Sequence, residues 1–193
     1  MKQEEGLSEI VILIDVTFLN TVIADIKNNF ESILRRPLRD IDISDLLVYL
    51  ALDAGIRGEN KSIQVVFVYD NLNKSLLHSY PSDLESELNS VAFTDKLGEF
   101  ILNSYEPKLS FTRSDLYLEF LKVFMDAEEV KKCILISSDE EYENDLFNIL
   151  SNIKNKDIVQ FRISEPEKKL SYNWEVLAYP IMQALGIKGN ELN

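Results

Sequence analysis

The sequence has 193 residues, of which 46% are hydrophobic and 27% are charged, and its formal net charge is −13. This length and composition are those of a globular protein that can bury a substantial core. Its apolar runs are shorter than the roughly 18 residues needed to cross a membrane, and its negative charge argues against broad, non-specific binding to nucleic acid.

Four apolar segments predict buried β-strands, and the first three lead into an aspartate. Continuous apolar runs of this length are typical of parallel strands that are covered on both faces. The aspartates are Asp15, Asp70 and Asp139. The four predicted strands cover residues 10–14, 63–69, 133–136 and 158–163.

Amphipathic patterns between these strands predict helices. Ser44 is a candidate N-cap, and Gly55 stands where a helix-ending glycine is expected. Another helix is predicted to open at Ser114-Asp115, and Pro180 should kink or divide the last one. The other predicted helices cover residues 21–34, 45–54, 141–153 and 173–185.

Residues 71–108 carry a different pattern. A capping-box sequence at 82–85 predicts a short helix. Residues 90–93 and 99–105 predict a β-hairpin joined across a turn that contains Gly98. We therefore expect one α/β domain over residues 1–193, with a hairpin insertion around 82–108. Its expected architecture is three-layer α/β/α with a mainly parallel central sheet, Rossmann-like in outline.

The aspartates that end the strands are the candidate functional residues. In parallel α/β sheets the carboxyl ends of the strands meet at one edge, so Asp15, Asp70 and Asp139 should gather there. Mg²⁺ or Mn²⁺ would neutralise such a cluster and could support phosphoryl chemistry. The alternative is that these residues only cap helices and occupy loops, as aspartates do in all α/β proteins.

Three motifs resemble those of PIN/NYN-type nucleases. Residues 134–142 (ILISSDEEY), followed by a helix, are similar to the NYN signature of an apolar strand, Ser-Gly-Asp-Ser-Asp-Phe and a helix. Residues 12–15 resemble the family's opening strand with its aspartate, and 114–116 fall where the family often carries another acidic residue. The resemblance extends from residue 10 to residue 163.

The resemblance implies a divalent-metal-dependent nuclease that acts on RNA or single strands. It would make Asp15, Asp115 and Asp139 the catalytic residues. The same three, together with Glu141, would hold Mg²⁺ or Mn²⁺. Asp70 would be an accessory acid near the crevice.

Several positions depart from the family pattern. Ser138 replaces the motif's glycine, Glu141 replaces its second aspartate, and Arg113 replaces a lysine. The family's asparagine three positions after the first aspartate is displaced to Asn20. These departures and the negative charge favour an alternative, a non-catalytic interaction or regulatory module that retains the fold and binds a protein partner. A third interpretation, an adhesion-type metal site beginning at Asp15, fails at Leu19.

Other site classes find little support. Cys133 and His78 are each the single residue of their type, which excludes disulfides within the chain, cysteine zinc clusters and histidine-rich metal sites. We interpret Cys133 as a small buried strand residue. No glycine-rich phosphate motif is present. Residues 1–6 lack the features of a secretion signal, so we expect a cytoplasmic protein without a membrane partner.

Overall fold

The computed structural model describes residues 6–108 and 110–192. These residues form strands and helices that alternate along most of the chain, followed by a short 3₁₀ helix at Gly189–Glu191. In chain order the elements are β1 (Ile10–Asp15), α1 (Val16–Leu34), β2 (Ile41–Asp42), α2 (Ile43–Asp53), β3 (Lys61–Val68), β4 (Ser79–Tyr80), β5 (Val91–Asp95), β6 (Gly98–Tyr105), α3 (Arg113–Asp126), β7 (Lys132–Ile136), α4 (Glu143–Leu150), β8 (Asp157–Arg162), β9 (Asn173–Val176) and α5 (Ala178–Ala184).

The described residues form a seven-stranded sheet in the order β5-β6-β3-β1-β7-β8-β9, and β2 pairs with β4 apart from it. The β5–β6 pair is antiparallel, and every other neighbouring pair in the large sheet is parallel. Counted along the chain, the six parallel strands have the order 3-2-1-4-5-6, which is the doubly wound Rossmann-like order. The predicted α/β fold with a mainly parallel sheet is confirmed.

Helices cover both faces of the sheet, as the unbroken apolar runs require. On one face, Ile12 and Ile14 of β1 pack in a core with α1, α2 and α5. On the other face, Val11 and Leu13 pack in a core with α3 and α4. Successive residues of a strand point to opposite faces, so a strand covered on both sides has no polar face. The three-layer prediction is confirmed.

All four predicted strands form, whereas several helix boundaries differ from the prediction. Helix α1 begins five residues early because Asp15 ends β1 and caps the helix, accepting from the Phe18 N–H at 3.2 Å. Helix α2 is capped by Asp42 rather than by Ser44. Gly55 follows α2 with a φ of 87°, the left-handed conformation expected of a helix-ending glycine. Helix α4 is shorter than the predicted 141–153.

The hairpin predicted within residues 71–108 is confirmed, but the short helix is wrong. Strand β6 lies between β5 and β3, so it belongs to the main sheet as its third parallel strand. Gly98 has a φ of 139°, and a side chain there would collide with the backbone of Lys61. Residues 84–87 form turns, in which Asp83 Oδ1 accepts from the N–H groups of Glu85 and Ser86 at 3.0 and 2.7 Å. The carboxylate therefore stabilises a turn where the capping box predicted a helix.

The last predicted helix, 173–185, is wrong in its first part. Residues Asn173–Val176 form strand β9, which pairs in parallel with β8, and α5 starts at Ala178. Pro180 lies in the first turn of α5, where a backbone N–H has no partner within the helix and proline is tolerated. Across the described residues, no helix combines the length and the apolar character needed to span a membrane.

Candidate functional site

The strand order of the sheet reverses beside β1. The chain passes from β1 to β3 and β6 on one side, and later from β7 to β8 and β9 on the other. Loops that leave such a point in opposite directions open a crevice at the carboxyl ends of the strands. A cavity of about 570 Å³ lies here, and we call it the crevice. Its walls are residues of α1 between 17 and 26, the loop 138–141, and Arg113, Ile163 and Ala178.

Asp15 lies at the carboxyl end of β1 and is fully buried. Its Oδ1 accepts from the Phe18 N–H, and its Oδ2 accepts from the Tyr142 hydroxyl at 2.6 Å and from Nη1 of Arg113. Both carboxylate oxygens are therefore satisfied by protein donors. This matters because a buried carboxylate without partners would be strongly destabilising.

Arg113, the first residue of α3, contacts three carboxylates. Its Nη1 donates to Asp15, its Nη2 donates to Oε2 of Glu141 at 2.5 Å, and its Nε lies 3.4 Å from Oδ2 of Asp70. The Arg113 side chain is only 10% exposed. We call these four residues the Arg113 cluster. A guanidinium stays charged at all ordinary pH values, so Arg113 supplies one positive charge that offsets part of the charge of the three carboxylates.

The carboxylates of the cluster differ in pKa. Burial raises the pKa of Asp15, although Arg113 and the Tyr142 hydrogen bond act against that rise. Burial also acts to raise the pKa of Glu141, but the Ser114 hydroxyl and Arg113 outweigh it and the pKa is lowered. For Asp70 the effect of burial is outweighed chiefly by the hydrogen bond from Asn73, so its pKa is lowered as well. Glu141 and Asp70 are therefore ionised at neutral pH.

Asp115 lies outside the cluster, although the resemblance made it a metal ligand. Its Oδ2 accepts from the Thr112 N–H at 2.9 Å, and the Thr112 hydroxyl accepts from the Asp115 N–H at 3.1 Å. These two hydrogen bonds form a capping box at the start of α3, and Asp115 is exposed. Its carboxylate therefore stabilises the helix end and does not reach Asp15.

Asp139 lies on the crevice wall opposite α1. It is 7% exposed, and its Oδ2 accepts from the Ile163 N–H at 2.9 Å. Its Oδ1 is buried and has no hydrogen-bond partner. Burial raises the pKa of Asp139, although the Ile163 hydrogen bond, the nearby Arg162 and the Ser164 backbone N–H act against it. Asp139, a residue that lines the crevice, therefore keeps one buried oxygen without a hydrogen-bond partner.

The four predicted metal ligands do not form one site. Only Asp15 and Glu141 meet, and they meet around Arg113. Within residues 6–108 and 110–192, no group of three or more His, Cys, Asp or Glu side chains is arranged to hold a metal ion. Mg²⁺ requires near-octahedral oxygen ligands, whereas both Asp15 oxygens already accept from protein donors and the Arg113 guanidinium occupies the position among the three carboxylates. The residues as arranged do not fit Mg²⁺ or Mn²⁺.

The roles of two residues of this site were not predicted from the sequence. Arg113 was noted only as the replacement for a family lysine, and Tyr142 only as part of a motif. Arg113 is 98 residues from Asp15 along the chain, and Tyr142 is 127 residues from it. The position of Arg113 immediately before Ser114-Asp115 was a signal that this arginine lies near the acidic residues. The carboxylates that Arg113 contacts depend on the order of the strands.

Exposed apolar side chains lie on four segments that follow the carboxyl ends of parallel strands, and one of these side chains lines the crevice. Leu72 is 87% exposed and follows Asp70, and Phe111 is 55% exposed and precedes Arg113 by two residues. Ile163 lines the crevice and is 52% exposed. Tyr179, next to the lining residue Ala178, is 66% exposed. We call Leu72, Phe111, Ile163 and Tyr179 the apolar rim.

The fold and the Arg113 cluster define the class of this protein. It is a doubly wound α/β domain whose strand-end carboxylates surround an internal arginine. The chain belongs to DUF6621, a family of unknown function, which matches residues 4–192. Comparisons with curated proteins and with solved structures found no match. The family covers nearly the whole chain and assigns it no activity.

Proposed function

We propose that this chain is a non-catalytic, partner-binding α/β domain in which Arg113 takes the place of a catalytic metal. The observation that carries the proposal is the Arg113 cluster. A metal-dependent nuclease would need its cation at Asp15 and Glu141, together with Asp115 and Asp139. A guanidinium already lies between the first two. Asp115, which should complete such a site, caps its own helix instead.

The apolar rim supports the partner-binding part of the proposal. Single exposed apolar residues are common, but several of them at the same edge of a sheet are typical of an interaction surface. The rim residues sit on segments that follow β3, β6, β8 and β9, so four separate parts of the chain present apolar groups at the same edge. The net charge of −13 makes a basic partner more favourable than a nucleic acid.

A divalent-metal-dependent nuclease is the second candidate, and one observation favours it. Asp15, Asp70 and Glu141 do converge on a single cation at the carboxyl edge of the sheet, where PIN/NYN-type nucleases carry their acids. In that case Mg²⁺ or Mn²⁺ would have to displace the Arg113 guanidinium, and RNA would have to approach an acidic surface.

Calorimetric titration with Mn²⁺ and Mg²⁺ separates the two candidates. For the wild type we expect no saturable binding and no cleavage of single-stranded RNA in the presence of either ion. The Asp15→Asn/Asp139→Asn double variant is the control, because it removes two strand-end carboxylates that the nuclease hypothesis requires as metal ligands. Saturable binding that the double variant loses, together with RNA cleavage by the wild type, would overturn the proposal in favour of the nuclease.

Partner binding is tested with variants of the apolar rim. Leu72→Ser/Phe111→Ser removes two exposed side chains beside the Arg113 cluster. Ile33→Ser is the matched control, because Ile33 is 67% exposed but lies near the opposite end of α1. Proteins captured from the source cells by the wild type and by Ile33→Ser should be depleted on the double variant, as measured by quantitative mass spectrometry. Equal capture by all three proteins would contradict the proposal.

A further inference from the structure

One acceptor in the crevice is left without a donor. Asp139 is more than nine-tenths buried, it lines the crevice, and its Oδ1 makes no hydrogen bond. Leaving a buried acceptor unpaired costs about 1–3 kcal/mol, and more when the group is charged. The N–H of Ile163 already satisfies the other oxygen. Asp139 Oδ1 is therefore prepared for a donor that comes from outside the chain.

The charges around Asp139 select the kind of donor. Asp25, Glu140 and Glu141 also line the crevice. The lining includes one basic residue, Arg113, and its guanidinium is already paired with Asp15 and Glu141. Arg162, which also acts on Asp139, is paired with Glu143. A neutral donor would leave this negative charge uncompensated. A cationic donor would satisfy the unpaired oxygen and offset the charge, since hydrogen bonds between ionised groups are the stronger ones.

The rest of the crevice wall is apolar. Phe18, Val22 and Ile26 of α1 face it, with Ile163 and Ala178 from the other side. A ligand that fits both parts has an aliphatic stem and a cationic end, which is the form of lysine and arginine side chains. The cavity of about 570 Å³ lies within the usual size of ligand sites and holds more than one side chain.

We infer that the crevice binds a basic segment of a partner protein, and that a lysine or arginine of that segment donates to Asp139 Oδ1. The stem of that side chain packs against α1, and neighbouring apolar residues of the segment contact the apolar rim. This inference rests on the proposed function and adds to it the chemistry of the partner. A small polyamine would share the cationic end but would not use the rim.

The test is chemical-shift mapping on the ¹⁵N-labelled protein. The probe is the capped pentapeptide acetyl-Ala-Leu-Lys-Leu-Ala-amide, and the matched neutral probe has norleucine in place of lysine. We expect the lysine peptide to shift the amides of residues 17–26 and 138–141 and to bind about tenfold more tightly than the norleucine peptide. Spermidine should shift the same amides without affecting Leu72 or Phe111.

Asp139→Asn tests the named acceptor. Asparagine keeps an oxygen for the Ile163 N–H but removes the charge, so the preference for lysine over norleucine should disappear. Asp145→Asn is the charge-matched control, because Asp145 is exposed on α4 outside the crevice lining, and it should keep the preference. The dispersion of the amide spectrum verifies that each variant is folded.

The outcomes separate this inference from the proposed function. Equal binding of the two peptides, no shifts with either, or an unchanged preference in Asp139→Asn would overturn the inference alone. Spermidine shifts that extend to the rim would also count against a protein segment as the occupant. Mn²⁺ added alone to the same protein tests the proposed function. Saturable line broadening at residues 138–141 and Asp15 would overturn the non-catalytic proposal.

Discussion

Replacing Arg113 by methionine should destabilise the fold strongly, because it removes the cation beside a fully buried carboxylate. Methionine keeps most of the side-chain length and lacks the charge. Asp15 would retain the Phe18 N–H and the Tyr142 hydroxyl as donors but lose its ion pair. Breaking a buried ion pair from one side typically costs about 3–5 kcal/mol. Glu141 and Asp70, whose side chains are 49% and 26% exposed, should add little to this loss.

The loss should depend on pH. Burial already raises the pKa of Asp15 above the ordinary value of an aspartate, and without Arg113 that pKa rises further. A carboxyl group whose pKa is higher in the folded state than in the unfolded state destabilises the fold above that folded pKa. The penalty disappears as the pH falls to the unfolded value. The deficit of Arg113→Met should therefore be largest near about pH 8 and should shrink towards about pH 5.

Urea unfolding followed by circular dichroism measures both effects. Lys122→Met is the control, because it breaks an exposed ion pair with Glu119 and should cost less than about 1 kcal/mol. The Asp15→Asn/Arg113→Met double variant should lose less stability than the sum of the two single variants. Additive losses, or an Arg113→Met deficit that is the same at both pH values, would refute the reasoning that Arg113 compensates a buried charge.

Three further predictions concern neighbouring groups. Tyr142→Phe removes the hydroxyl that donates to Asp15 at 2.6 Å and should lower the free energy of unfolding by about 1–3 kcal/mol, measured in urea. Loss of stability within error of zero would contradict the assigned hydrogen bond. Burial and the nearby Glu143 raise the pKa of Asp139, and the nearby Arg162 acts against that rise. The free energy of unfolding of the wild type should therefore increase as the pH falls through that pKa. Asp139→Asn should lack this increase, which unfolding curves at several pH values can measure. Cys133 is fully buried and burial raises the pKa of its thiol, so a thiol reagent should label it only after unfolding in urea. Rapid labelling of the native protein would show that β7 is accessible.

The strands were predictable because each one is a local apolar run, and such a run must be buried wherever it lies in the chain. Strand β9 was not predictable in the same way. Its residues Asn173–Val176 pair with β8 at the edge of the sheet, and that neighbour was needed to select the extended form. The early start of α1 also depends on context, because Val16, Thr17 and Phe18 are weak helix formers that are nevertheless helical beside the sheet. Tertiary packing overrides weak helix propensity at such positions.

The candidate site was predictable in its location and partly in its members. Parallel strands that end in aspartates bring their carboxylates to one edge, and Asp15 and Asp70 do meet there with Glu141 around one cation. The identity of that cation could not be read from the motif. Asp115 illustrates why, since a carboxylate at the start of a helix either faces the crevice or accepts from its own helix end, and here Thr112 is the nearer partner.

The sequence by itself determined the α/β class, the positions of the main strands and the acidic character of their carboxyl ends, because these follow from local side-chain chemistry and its period along the chain. The tertiary structure decided that Arg113 neutralises Asp15 across 98 residues of chain and that Asp139 keeps an unpaired oxygen in the crevice. Those facts depend on which segments the strand order and core packing bring together. A guanidinium or a metal ion can neutralise the same carboxylates, and only their arrangement in space distinguishes the two.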